Sequence, residues 1–87
     1  MTENELNDFI NTAVQDYERL CDAYQNHEYI TDEVTFLSKT KLVSNNVQKL
    51  TELSQEFYCS NPELAKHLLE GVAMMMPLLD EIAKRNG

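Results

Sequence analysis

The chain has 87 residues, 43 % of them apolar, with two glycines, two prolines and two cysteines. That is room for one small domain, and it argues against disorder, a turn-rich β fold or a disulfide scaffold. Fifteen acids against seven Lys and Arg give a net charge of −8, the wrong sign for nonspecific binding to nucleic acid or anionic lipid.

The first predicted helix covers about residues 3–27. Thr2-Glu3-Asn4-Glu5 has the form of a capping box. Leu6, Ile10, Ala13, Tyr17, Leu20 and Tyr24 then recur alternately four and three apart, with Phe9, Val14 and Cys21 widening the stripe. Asp8, Asn11, Gln15, Glu18 and Asp22 lie opposite, with Asp16 at the edge of that acidic face. Residues 1–33 hold nine acids and one base, Arg19, so the net charge of the whole chain belongs to this part.

A second helix is expected over about 33–59, opened by Thr31 or Asp32 as N-cap. Its seam reads Phe36, Thr40, Val43, Val47, Leu50, Ser54 and Phe57, flanked by Leu42 and Leu53. Thr40 and Ser54 are expected to bond through their hydroxyls to the carbonyl four residues back. Ser60-Asn61-Pro62-Glu63 marks the third start, with Asn61 as N-cap and Pro62 in the first helical position. Leu64, Ala65, Leu68, Val72, Met75, Met76, Leu79, Ile82 and Ala83 form one broad face of a helix over about 62–85. Lys84 and Arg85 suit its negative end, and Asn86-Gly87 stops it. Pro77 removes the hydrogen bond to Ala73 and should kink or interrupt the helix. Short connections make consecutive helices antiparallel, so the expected fold is all-α, a single antiparallel three-helix bundle.

Chemistry-bearing patterns are sparse. Glu63, His67 and Glu70 have helical ligand spacing, but no Glu-x-x-His or His-x-x-x-His occurs. They read as a solvated cluster, and no metal is expected. Glu5-x-x-Asp8 has no matching second pair, and Cys21 and Cys59 lack CxxC or triad-like partners. The only glycines are Gly71 and Gly87, so no phosphate loop exists and no cofactor is expected. The basic residues are not interleaved with aromatics, which speaks against direct nucleic-acid binding. The longest apolar run, residues 72–79, is far below the roughly 18 residues of a membrane span. The acidic N-terminus lacks a signal peptide's charged and apolar regions. A cytoplasmic protein of a bacterial or other host cell is expected.

These features favour a non-enzymatic protein that binds a basic, nucleic-acid-handling partner surface through Asp8, Asp16, Glu18 and Asp22. Complementary charge mainly raises association rate and specificity, so an apolar anchor is also needed. A narrow second seam on the third helix, Gly71, Met74 and Leu78, is expected in an interface, most simply of a homodimer. The alternative is a homo-oligomeric structural, immunity or chaperone-like protein. Small acidic helical chains of this size occur among phage-encoded inhibitors of host machinery, bacteriocin immunity proteins and secretion chaperones, and no motif here selects among them.

Overall fold

The structure, a computed structural model, describes residues 2–86. Among the described residues every regular element is helical: α1 (Glu3–Gln25), α2 (Glu28–Thr31), α3 (Glu33–Phe57) and α4 (Pro62–Asn86). The all-α class expected from the periodicity is what forms, with α2 as an addition. The chain divides into two compact units, Met1–Val43 and Ser44–Gly87, and α3 runs from one into the other.

In the first unit, the Thr2 hydroxyl accepts the Glu5 N–H at 3.2 Å and opens α1. The helix ends at Gln25, not at 27, because His27 takes a left-handed backbone (φ 59°, ψ 34°). That conformation terminates helices and usually falls to Gly or Asn. The His27 N–H donates to the Tyr24 carbonyl at 3.1 Å, closing the last turn. A single turn, α2, then leads to Asp32, whose carboxylate accepts the Thr35 N–H at 3.4 Å while its carbonyl accepts the Phe36 N–H at 3.0 Å. Asp32 is therefore the cap of α3. Leu6, Ala13, Leu20, Ala23, Phe36 and Val43 are the buried apolar residues of this unit. Ile10, Tyr17 and Tyr24, expected at the centre of the α1 stripe, are half-buried.

In the second unit, Val47, Leu50, Leu53 and Ser54 of α3 are buried, as are Ala65, Leu68, Met75 and Ile82 of α4. Full burial of a Leu-sized side chain contributes about 1.5–3 kcal/mol, so these residues carry most of the unit's stability. The Thr40 hydroxyl, still in the first unit, donates to the Phe36 carbonyl four residues back, as expected. Ser54 instead donates to the carbonyl of Thr51, three back, at 2.7 Å. Thr51 donates to Val47 at 2.9 Å, so Ser54 enters the core with its hydroxyl satisfied by its own helix. The α3 helix ends at Phe57, short of the expected 59, in a tightened turn where the Tyr58 N–H donates to Gln55 and the Asn61 N–H to Phe57. The Asn61 side chain accepts the Leu64 N–H at 3.2 Å, with Pro62 as first helical residue. The α4 helix then continues through Pro77, so the interruption considered there does not occur. Met76 and Ala83, expected on its broad buried face, are exposed. The expected stop at Gly87 lies outside the described residues.

Candidate protein-binding surfaces

The acidic face of α1 is present, but it is narrower than the sequence suggested. Asp8, Glu18 and Asp22 are exposed beside Asn11 and Gln15. Asp16 is only 7 % exposed and sits in the buried stripe with Ala13, Leu20 and Ala23. This is a correction: Asp16 is turned inward and is not part of the surface. Ala13 and Ala23 on the same stripe are closed to solvent as well. Asp8 and Asp22 are fourteen residues apart on a continuous helix, about 21 Å at 1.5 Å per residue. A partner engaging both would have to track the length of the helix.

At the corner where α1, α2 and α3 follow one another, the chain is heavily cross-tied. The His27 Nδ1 and the Tyr29 hydroxyl share a hydrogen bond of 2.8 Å. Tyr29 lies 5.5 Å from Tyr24 and 5.7 Å, edge-on, from Phe36, centroid to centroid. Lys39 Nζ meets Glu28 Oε1 at 3.0 Å, both side chains part-buried. On the outside of the same corner, Ile30 and Val34 are 73 % and 77 % exposed and Leu37 45 %. The sequence reading overlooked these three. Their signal was available, since Val34 and Leu37 fall off the Phe36–Val43–Val47 stripe.

Further back on α1, one turn separates Tyr17 from Cys21. The hydrogen bond to the Cys21 thiol, with burial and the thiol's charge adding to it, holds the Tyr17 phenol above its ordinary value.

On α4 the three seam residues separate. Met74 is 46 % exposed, while Gly71 and Leu78 are half-buried. A Cβ added at Gly71 would meet Leu50 Cδ1 at 4.0 Å, an ordinary contact within the same unit. Gly71 thus faces the Leu50 side chain of its own unit, with room for a methyl group. On the other flank of α4, Leu69 and Met76 are exposed. Leu69 borders an open groove of about 400 Å³ lined also by Thr51, Ser54, Gln55 and Tyr58.

Cys21 and Cys59 are free thiols, half-buried and exposed respectively. Among the described residues no three His, Cys, Asp or Glu side chains converge on a metal position, so Glu63, His67 and Glu70 form no such group. No described helix is long and apolar enough to cross a membrane. Compared with known protein families, curated proteins and solved structures, the chain matches none.

Proposed function

We propose that this protein is a non-enzymatic binding module that occupies a basic surface of a partner protein, of the kind that handles nucleic acid, and acts by exclusion in the cytoplasm of a host cell. The observation that carries the reading is the placement of charge. Nine acids against one base fall in residues 1–33, and Asp8, Glu18 and Asp22 stand exposed along α1. Charge of one sign held on a rigid helix steers a partner of the opposite sign, and its effect decays with salt. The test uses a generic basic surface, an arginine-rich peptide, titrated at low and high ionic strength. The expected result is binding that weakens with salt and weakens again in Asp8→Asn/Glu18→Gln/Asp22→Asn. Binding indifferent to both salt and these substitutions refutes the electrostatic reading.

A second reading, self-association through α4, draws on Met74, which is exposed, with Leu78 beside it on the same side of the helix. Under it the mass in solution rises with concentration, and Met74→Glu with Leu78→Glu returns the protein to a monomer. A wild-type protein that stays monomeric at high concentration removes this second reading.

A further inference from the structure

We propose that Ile30, Val34 and Leu37, on the outer side of the α2–α3 corner, are the apolar anchor by which the protein holds its partner, and that the segment they receive is a basic amphipathic helix. This rests on the partner-binding reading above and supplies the apolar element which charge alone does not provide.

The first support is exposure where the chain had the means to avoid it. Single exposed aliphatic side chains are ordinary, but here three fall within eight consecutive residues, two of them exposed by more than 70 %. Val34 and Leu37 are three apart on α3 and so are neighbours on its surface. Neither lies on the stripe that buries Phe36 and Val43. They face away from their own core.

The second support is rigidity. Ile30 belongs to a single turn of helix that would have little persistence of its own. It is nevertheless held on both sides: Glu28 is tied to Lys39 of α3 at 3.0 Å, and the Tyr29 ring stands edge-on to Phe36. Asp32 fixes the start of α3. Residues 28 and 29 are drawn inward by these contacts, and Ile30, between Tyr29 and the Asp32 cap, is left outside. An apolar anchor that is already ordered loses little conformational freedom on binding, which is what separates an effective anchor from an equal area of floppy surface.

The third support is charge, which chooses the occupant. Glu18 and Asp22 end the acidic face of α1, and Asp32 and Glu33 lie between Ile30 and Val34 in the chain. Of the nearby cations, Lys39 is neutralised by Glu28, while Lys41, one turn beyond Leu37, marks the basic edge of the patch. A second copy of this chain docked through the same patch would bring a second set of Asp32 and Glu33 into the interface, and the added like charge opposes association. A helix with apolar residues at three- and four-residue spacing and Lys or Arg beside them satisfies both the aliphatic side chains and the acids.

The experiment uses the full chain and a synthetic helix of about 18 residues with Leu at amphipathic spacing and Lys elsewhere, read by fluorescence anisotropy. Two control peptides carry Ala for Leu, or Ser for Lys. The expected result is that the full peptide binds best, and that Ile30→Ser/Val34→Ser weakens it about tenfold or more, roughly 1.4 kcal/mol or more. Circular dichroism is expected to be unchanged, since both residues are exposed. Asp8→Asn is expected to matter less than Asp22→Asn. If the apolar double variant binds like wild type while the charge variants do not, the anchor is overturned and the acidic reading survives. If the Ser-for-Lys peptide binds as well as the Leu/Lys peptide, or if wild type dimerises in a way that Val34→Ser abolishes, the basic occupant is overturned. Binding of none of the peptides overturns the proposal together with the reading beneath it.

Discussion

The unit Met1–Val43 contains rings and an ion pair, Tyr24, Tyr29 and Phe36 in series, tilted and then edge-on, with Glu28 tied to Lys39. Ser44–Gly87 is packed by Leu50, Leu68, Met75 and Ile82, side chains with no directional preference. The charge follows the same division, nine acids against three bases in the first and six against four in the second. Aromatic pairs and salt-bridged corners fix a geometry, whereas Leu and Met fill space and adapt to what surrounds them. The first unit is thus the more directionally packed of the two, and the second has more latitude in detail.

The strongest way to break that comparison is at the two cores. Phe36→Ala is expected to lower stability by about 3–5 kcal/mol and Met75→Ala by about 2–5 kcal/mol, measured by urea unfolding. The sharper contrast is with leucine. Met75→Leu should cost less than about 1.5 kcal/mol. Phe36→Leu should cost more than Met75→Leu, because the edge contact with Tyr29, worth about 0.5–1.5 kcal/mol, goes with the ring. Equal losses for the two leucine variants would show that the first unit is no more geometrically specified than the second.

A smaller effect of opposite sign is expected at Gly71. No glycine among the described residues has a positive φ, and an added methyl would touch Leu50 at ordinary distance. Gly71→Ala should therefore stabilise by about 0.5–1 kcal/mol through the helix preference for alanine. A destabilised variant would mean that α4 needs the bare backbone there. The smallest effect concerns Tyr17. Its raised phenol means that the folded state holds the proton more tightly than the unfolded state. The stabilisation is then fully present below the unfolded value near 10 and is lost as pH rises through the folded one. Phenolate absorbance should follow Tyr17 to a pH above its ordinary value, and Cys21→Ala should lower that pH.

Much of the framework is legible from residue types alone. Thr2, Asp32 and Asn61 start the three long helices as their side chains require, and the Phe36–Val43–Val47–Leu50 stripe is the one that is buried. Asp16 was not legible, because polarity predicts an outward position, whereas it lies in the stripe it shares with Ala13, Leu20 and Ala23. The short α2 helix has too few residues to show a period, so Ile30 could not be assigned a face. The ends of α1 and α3 were overrun for a related reason. A left-handed histidine and a tightened turn at Tyr58 are backbone events with no obligatory residue type.

Pro77 gives α4 an uneven stiffness. Pro77 has no N–H to donate to the Ala73 carbonyl, and both residues are exposed. The α4 ladder therefore lacks one bond between Ala73 and Pro77, although the helix is continuous there. Met74 and Met76 lie within that stretch, both exposed, with Met75 buried between them. The turn of α4 that lacks a backbone bond thus carries two pliant thioether side chains on its surface, above a closed core position.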